Sequence, residues 1–201
     1  MPYRSIIKGQ KKRKMIGIEN ITSKRLFIAI PLPDSANQLL NHYCEQIAAQ
    51  YPQQKIRFTP MLKRHITLTF LGVLTEGKIK DVCTIVREFE HSAITIQLNT
   101  ISRFPDAQSK IITALPAPSK ALDSLHTQLQ QVLELNGFPK LSRPYRPHIS
   151  LTRMKNLEDN LPITIKPPID MLISNIILYE SQLTETGSLY VPMETTKLLK
   201  K

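Results

Sequence analysis

The amino-acid sequence predicts an α+β fold in which two similar lobes form one domain over residues 24–195. Segments typical of strands alternate with segments typical of helices, and the same order recurs in the second half. Each half contains one His-hydrophobic-hydroxyl-hydrophobic tetrapeptide, at residues 65–68 (HITL) and 148–151 (HISL). The chain has 201 residues, 41% hydrophobic and 21% charged, which is ordinary for a globular protein that buries a core without metal or disulfide support.

The first half opens with an apolar run and an amphipathic segment. Residues 25–31 (RLFIAIP) form an apolar run closed by prolines, which is typical of a buried strand. Asp34 suits the N-cap of a helix over residues 35–51, because its carboxylate can accept bonds from the first N–H groups of a helix. We expect this helix to bury one stripe, formed by Leu39, Leu40, Tyr43, Cys44 and Ile47. Residues 56–58 predict a small strand before Pro60.

Residues 65–71 (HITLTFL) show the period-2 alternation of a half-buried strand. Polar and apolar side chains fall on opposite faces, with His65, Thr67 and Thr69 on one and Ile66, Leu68 and Phe70 on the other. We expect Gly72 to end this strand. Thr75 then suits the N-cap of a helix that continues to about residue 90.

The second half repeats this rhythm. Residues 93–103 and 110–115 predict a strand pair joined through Pro105-Asp106. Ser119 suits the cap of a helix that ends at Asn136-Gly137. After a proline-rich link, strands are predicted at residues 148–153, 163–165, 173–181 and 189–191, with a turn at residues 186–187.

Charge is concentrated near the start of the chain. Residues 1–25 hold eight basic residues and one acid, or +7 of the total +11. We predict that residues 1–23 are a solvated, disordered extension, and the alternative is a segment that binds nucleic acid or an anionic surface. Residues 196–201 predict a basic C-terminal tail. No apolar run approaches 18 residues, and two cysteines cannot form a disulfide framework, so we expect a cytoplasmic protein without a membrane span.

The two tetrapeptides carry the chemistry. Alternation places His65 beside Thr67, and His148 beside Ser150, while the intervening apolar residues anchor the opposite faces in a core. If the lobes face each other, two imidazoles and two hydroxyls line one cleft. A neutral imidazole can then take a proton from a nucleophile and an imidazolium can give one to a leaving oxygen, while hydroxyls bind phosphate oxygens. This pattern favours phosphoryl chemistry, and by itself it is symmetric about which histidine is the donor.

The pair resembles the HxTx signatures of the 2H phosphoesterase superfamily, and within it the LigT-like RNA 2′,3′-cyclic phosphodiesterases, also called 2′-5′ RNA ligases. The resemblance extends over residues 25–190 and includes RLFIAIPLP, HITLTFLG, RPHISLTR and the later SQLTETGSLY. Ser150 stands where threonine is commoner in the family, and it keeps the hydroxyl. The resemblance implies a pseudo-symmetric fold with antiparallel sheets around a central cleft and helices outside.

The resemblance also implies residue roles. His65 is expected to donate a proton to the leaving 3′ oxygen, and His148 to act as the base that activates water. Thr67 and Ser150 are expected to bind the phosphate. Arg153 is expected to pair with phosphate oxygens, since a guanidinium can form bidentate bonds to them. Strict alternation places Arg153 on the opposite face from Ser150, so this role requires a bend in the strand.

Other residues near the motifs leave alternatives open. Phe58 stands where relatives often carry an aromatic residue, and it suits either base stacking or the core. Lys63, Arg64, Arg143 and Arg146 precede the motifs, and they either steer a polyanion or form a solvated rim. We expect His42, His91 and His126 to be surface residues. No cluster has metal-ligand spacing and no glycine-rich phosphate loop occurs, so neither a metal nor another cofactor is predicted.

The sequence therefore favours an enzyme that opens RNA 2′,3′-cyclic phosphates to 2′-phosphomonoesters. Within the same site, the alternatives are ATP-independent 2′-5′ RNA ligation and another cyclic phosphodiester substrate. An alternative of another class is an RNA-binding module without catalysis. We expect the partner to be RNA or an oligonucleotide with a 2′,3′-cyclic phosphate end, bound by a monomer.

Overall fold

The computed structural model describes residues 23–154, 163–185 and 187–200. Nine strands, three α-helices and one short 3₁₀ helix (Met61–Lys63) are defined in these ranges. The strands and α-helices are numbered separately. In chain order they are β1 (Ser23–Pro31), α1 (Asp34–Gln50), β2 (Arg57–Phe58), β3 (His65–Thr75), α2 (Glu76–Glu88), β4 (Ile94–Arg103), β5 (Ile111–Pro116), α3 (Lys120–Leu135), β6 (Ile149–Arg153), β7 (Ile163–Ile173), β8 (Asn175–Thr184) and β9 (Gly187–Lys197). No helix in the described ranges is long and apolar enough to cross a membrane.

The strands form two antiparallel sheets, and each sheet carries one tetrapeptide. The first sheet has the order β3-β1-β8-β9 and the second the order β2-β6-β5-β4-β7. Helix α2 packs against the first sheet, α3 against β4 of the second, and α1 against β6 and β7. The predicted α+β class with two antiparallel lobes is confirmed, and the two motifs lie on different sheets because β3 and β6 belong to different lobes.

Helix boundaries follow the sequence signals in part. The Ser119 hydroxyl accepts a bond from the Leu122 N–H, so Ser119 caps α3 as predicted, and Gly137 beyond its end has a φ of 79°. Asp34, by contrast, is the first residue of α1, and Pro33 is the N-cap without a side-chain bond. The Asp34 carboxylate therefore acts through its charge near the positive end of the helix.

The buried face of α1 differs from the predicted stripe. Leu39 is 52% exposed, so its predicted burial is wrong, and Tyr43 is half-buried. The buried positions are spaced by three and four residues, as one helical face requires: Ala36, Leu40, Cys44 and Ile47, with Asn37 beside them. The face is turned toward Ala36, so Leu39 lies at its outer margin.

A β-bulge changes the faces of β3. Ile28 pairs with Thr69 and the next residue of β1, Ala29, pairs with Thr67, so Leu68 is an extra residue. Beyond the bulge the alternation is inverted: Thr69 is buried and Phe70 is 63% exposed. The predicted faces of Thr69 and Phe70 are therefore wrong.

The same strand also continues past Gly72, which was predicted to end it. A second irregularity leaves Leu71 unpaired between two paired residues, and Gly72 has a φ of 75°. Glycine adopts this left-handed conformation without steric cost, so β3 absorbs the distortion and runs on to Thr75. Thr75 is the N-cap of α2, as predicted, but makes no side-chain capping bond.

The packed domain extends beyond residue 195, where the sequence placed its boundary. Strand β9 continues to Lys197, and Leu198 is only 5% exposed in the core. The backbone N–H groups of Leu198 and Leu199 donate to the carbonyls of Ser174 and His91. The basic extension over residues 1–22 and position 186 of the predicted turn lie outside the described residues.

Candidate active site

His65 begins strand β3 and is held at both ring nitrogens. Its Nδ1 donates to the carbonyl oxygen of Lys63 at 2.8 Å, and its Nε2 lies 3.1 Å from the hydroxyl oxygen of Thr67. A carbonyl can only accept, so Nδ1 carries the hydrogen and Nε2 is the nitrogen that exchanges a proton. The predicted neighbours His65 and Thr67 are thus on one face and in contact.

His148 immediately precedes β6 and has the same anchor. Its Nδ1 donates to the carbonyl oxygen of Arg146 at 2.9 Å, which again leaves Nε2 for proton transfer. In both lobes the anchoring carbonyl belongs to the residue two positions before the histidine. The fold therefore presents two imidazoles with the same ring nitrogen available.

A bulge in β6 corresponds to the one in β3. Ile112 pairs with Thr152 and the next residue, Thr113, pairs with Ser150, so Leu151 is the extra residue. As a result Thr152 is buried, while Arg153 is exposed and lines the same cavity as Ser150. This bulge supplies the bend that the predicted role of Arg153 requires.

Two cavities border the motifs. One, of about 540 Å³, contains Thr67 from the first lobe and His148 from the second, and it also includes Arg143 and Arg146. The other, of about 420 Å³, combines residues of the second lobe with Tyr190 and Ser188 of the first. Its members from the sequence analysis are Phe58, Lys63, Ser150 and Arg153. Each cavity thus combines residues of both lobes, and His65 itself lines neither of the two.

Burial and nearby charge lower the pKa of both histidines. Burial lowers the pKa of His65, the bond to the Lys63 carbonyl partly opposes this, and the charge of His148 lowers it further. Burial also lowers the pKa of His148, against its bond to the Arg146 carbonyl, and the Arg146 guanidinium adds to the lowering. The His148 charge acts on His65, so two imidazolium ions at once are disfavoured. One neutral and one protonated ring is the state that acid–base catalysis needs.

Aromatic rings surround each imidazole, and sequence reasoning gave them no role. Phe27 lies with its ring centroid 5.1 Å from that of His65, and Tyr190 stands edge-on to His65 at 5.4 Å. Phe104 stacks on His148 at 3.9 Å. Phe27 lies within a continuous apolar run and Phe104 lies in the bend after β4. Neither residue therefore stands out in the periodic pattern of the sequence. Tyr190 lies in the SQLTETGSLY segment, so the family resemblance is the signal that could have identified it.

The basic residues before the motifs differ in their surroundings. Arg64 is buried, and its guanidinium donates to the carbonyls of Thr59 and Asn37. Arg64 therefore neither steers a polyanion nor forms a solvated rim, because it connects the segment before β3 to α1. Lys63 lines the cavity of Arg153, while Arg143 and Arg146 line that of His148.

Phe58 and the remaining histidines complete the set of predicted residues. Phe58 packs against the core and also lines the cavity of Ser150 and Arg153, so both of its alternatives remain. His42 is exposed, and His91 is half-buried with its Nδ1 bonded to the Ser92 carbonyl. His126 stacks on Tyr145 at 3.8 Å, so it is not the simple surface residue that was expected. The described residues contain no group of three or more His, Cys, Asp or Glu side chains suited to a metal ion.

Comparison with known proteins identifies relatives of this chain. A family model described as LigT like phosphoesterase matches residues 30–113. The RNA 2′,3′-cyclic phosphodiesterase of Methanocaldococcus jannaschii is 27% identical over 173 residues, which cover 83% of this chain and 96% of the relative. The enzyme of the same name from Thermotoga maritima is 30% identical over 135 residues, covering 63% of this chain and 71% of the relative.

Solved structures agree on the fold. The crystal structure of Escherichia coli LigT complexed with 3′-AMP superposes with a TM-score of 0.71 at 23% identity, covering 88% of this chain and 99% of that one. A crystal structure of a phosphoesterase reaches a TM-score of 0.75 at the same identity. Together with the matching family model and the identity to the Thermotoga enzyme, these similarities show that the chain belongs to the LigT-like phosphoesterases.

Proposed function

We propose that this protein hydrolyses RNA 2′,3′-cyclic phosphate ends to 2′-phosphomonoesters by two-histidine acid–base catalysis. The observation that carries the proposal is the matched pair of imidazoles. Each is fixed at Nδ1 by a backbone carbonyl, each leaves Nε2 for proton transfer, and the charge of one acts on the other. Relatives that cover most of the chain are named RNA 2′,3′-cyclic phosphodiesterases, which supports the substrate class.

The reaction consumes one water and needs two proton transfers. Nε2 of neutral His148 takes a proton from water as the water oxygen bonds to phosphorus. The bond between phosphorus and the 3′ oxygen breaks, and that oxygen receives the proton of Nε2 of the His65 imidazolium. The product carries a 2′-phosphate and a free 3′ hydroxyl, and solvent exchange returns the two rings to their starting protonation states. The assignment of His65 as donor and His148 as acceptor follows the family resemblance.

Three further side chains are assigned to the phosphate. Thr67 and Ser150 donate hydroxyl hydrogen bonds to the non-bridging oxygens, and Arg153 neutralises the charge that develops on them. Thr67 also contacts Nε2 of His65, so this hydroxyl lies close to the nitrogen that transfers the proton. Phosphate held among these groups has its reacting atoms pre-oriented, which removes much of the entropic cost of the reaction.

The same groups allow a parallel reaction, in which a 5′ hydroxyl takes the place of water, the 3′ oxygen again leaves, and two RNA ends are joined by a 2′-5′ linkage. Hydrolysis is favoured as the main reaction because water is far more concentrated than any RNA end. We expect activity without an added metal or other cofactor, since two imidazoles and a guanidinium supply the charge and the protons. A cytoplasmic monomer remains our expectation.

The test is an oligonucleotide that ends in a 2′,3′-cyclic phosphate, incubated with the protein in EDTA, with the product ends mapped. We expect a 2′-phosphate and no 3′-phosphate. His42→Ala serves as the matched control, because it removes an exposed imidazole outside both cavities. A 3′-phosphate product would overturn the assignment of the leaving oxygen. Binding without any turnover would favour the RNA-binding module instead.

A further inference from the structure

The ring of Phe104 connects His148 to a guanidinium. Phe104 follows β4 directly, and its ring stacks on the His148 imidazole with centroids 3.9 Å apart and planes 22° apart. The guanidinium carbon of Arg146 lies over the same phenyl ring, 4.7 Å from its centroid, which is within the range of a cation–π interaction. His148 is thus in contact with an aromatic ring that itself holds a cation.

Arg146 is fixed at three points of this arrangement. Its carbonyl oxygen accepts the bond from His148 Nδ1 at 2.9 Å. Its guanidinium donates to the Pro105 carbonyl at 2.7 Å and covers the ring of Phe104. One residue therefore sets the hydrogen bond that orients the imidazole and also fixes the aromatic ring on which the imidazole stacks. These contacts join the link before β6 to the turn after β4.

The titratable side chains that line the cavity of His148 are cationic or neutral. Arg143 and Arg146 of its own link line the cavity, Thr67 faces it from β3, and the His65 imidazole is close enough for its pKa to respond to the charge of His148. Tyr145 adds a neutral phenol, and none of the side chains that line this cavity is a carboxylate. A proton on His148 consequently gains no carboxylate partner from this lining and meets the charge of Arg146, and the bond to the Arg146 carbonyl only partly opposes this.

His65 has different surroundings. Phe27 is tilted by 38° to its imidazole at 5.1 Å, and Tyr190 stands edge-on at 5.4 Å, so neither ring stacks face to face. Among the described contacts, no guanidinium lies over either of these rings. The hydroxyl of Thr67 contacts its Nε2 instead. A ring stacked nearly face to face is therefore found at His148, whereas the two rings beside His65 lie at an angle.

We propose that Phe104 and Arg146 are positioning residues that hold His148 as the neutral general base. The phenyl ring fixes the plane of the imidazole, the Arg146 carbonyl fixes its tautomer, and the guanidinium disfavours the protonated ring. The inference rests on the proposed function, because it gives these residues a role in that reaction. It also distinguishes the surroundings of His148 from those of His65, which the two motifs alone do not.

The first test measures the titration of the His148 ring by NMR in the intact protein without substrate. Arg146→Gln is expected to move the His148 midpoint to higher pH by roughly half to one pH unit, and the difference from wild type should shrink in high salt. Arg143→Gln is the matched control, because Arg143 lines the same cavity, while among the described residues the guanidinium that lies over the Phe104 ring is that of Arg146. Equal midpoints in Arg146→Gln and Arg143→Gln would overturn the proposal.

The second test is the pH profile of kcat/KM on a cyclic phosphate substrate. In Arg146→Gln the acidic limb should move to higher pH together with the NMR midpoint. Phe104→Leu should lower the rate roughly tenfold because the imidazole loses its fixed plane, and Phe104→Tyr should restore most of it. Unchanged activity in Phe104→Leu would refute the positioning role, and if that variant fails to fold, Phe104→Tyr and Arg146→Gln still decide it. Wild-type protein without activity would overturn the proposed function, while the NMR midpoints still test the arrangement itself.

Discussion

The lobe of His65 and the lobe of His148 share a backbone plan and differ in what surrounds the imidazole. In both, a carbonyl two residues earlier binds Nδ1, a hydroxyl follows two residues later, and the next residue is a bulge. The equivalent pairs are Lys63 and Arg146, His65 and His148, Thr67 and Ser150, Leu68 and Leu151, and Phe70 and Arg153.

The differences lie in the side chains that complete this plan. Where the second lobe presents Arg153 beyond its bulge, the first presents the exposed ring of Phe70. His148 stacks on a ring that carries a guanidinium, whereas His65 contacts Thr67 and meets two aromatic rings at an angle. The two imidazoles thus share one backbone plan, and the side chains around them differ.

The largest expected effects come from removing the imidazoles. His65→Ala and His148→Ala should each lower kcat by about 10² to 10⁴-fold, and the double variant should lose little more, because the pair acts as a unit. A phosphodiester with a p-nitrophenolate leaving group needs no proton donor, so it should restore His65→Ala and not His148→Ala. Equal restoration of both variants would break the proposed division of roles.

Arg153 should have the next largest effect. Arg153→Gln should lower kcat/KM by roughly 10- to 100-fold, since a hydrogen bond from a charged donor contributes about 1.5–3 kcal/mol. Arg153→Lys should recover part of the loss, because the charge returns without the planar fork. Arg25→Gln removes a comparable exposed charge outside both cavities and should leave the rate unchanged. Steady-state kinetics on a short cyclic phosphate compare the three variants. An equal loss in Arg25→Gln would show that the effect of Arg153 is that of net positive charge and not of a specific bond to the phosphate.

Stability should decline in acid because of the buried imidazoles. Burial lowers the folded pKa of His65 and His148 below the ordinary 6.5, so below that pH the unfolded chain binds more protons than the folded one. The free energy of unfolding therefore falls as the pH decreases from 6.5 toward the folded pKa values. His65→Gln should flatten this dependence more than His148→Gln, because His65 is the more deeply buried. Urea unfolding at several pH values measures the slopes, and unchanged slopes in both variants would contradict the prediction.

The smallest effect concerns the second irregularity of β3, at Leu71. Gly72→Ala should destabilise the protein by about 1–2 kcal/mol, because φ is 75° and an added Cβ meets nothing within 4 Å, so the cost is conformational. Gly77→Ala in α2 also meets nothing within 4 Å and should stabilise by about 0.5–1 kcal/mol. Thermal or urea unfolding compares the two, and a neutral Gly72→Ala would show that β3 relaxes at this point.

The sequence predicted most of the elements and the central pair of histidines because periodicity and turn residues are local signals. Strand and helix boundaries around α3 and the β4–β5 pair followed from Ser119, the Asn136-Gly137 end and Pro105. The tetrapeptides could be placed on strands because alternation held from His65 to Thr67. Their meeting across two lobes is an inference from the repeated order, and the sheet topology shows that the two motifs belong to different sheets.

What could not be predicted depends on partners distant in the chain. The bulges at Leu68 and Leu151 arise from pairing with β1 and β5, and they decide the faces of Phe70 and Arg153. The burial of Arg64 depends on carbonyls and side chains of the preceding helix, and the stack of Phe104 on His148 joins residues 44 positions apart. No local pattern encodes such contacts, because the partners of each contact lie far apart in the sequence.

The order β3-β1-β8-β9 also has a consequence for the protein while the ribosome is still making it. Every strand of the second sheet has been synthesised once β7 is complete, so the lobe of His148 can assemble early. The lobe of His65 cannot, because β1 needs β8 as its second neighbour and until then presents an unpaired edge of five buried residues. Strand β1 is therefore a part of the nascent chain that is exposed to aggregation until β8 pairs with it.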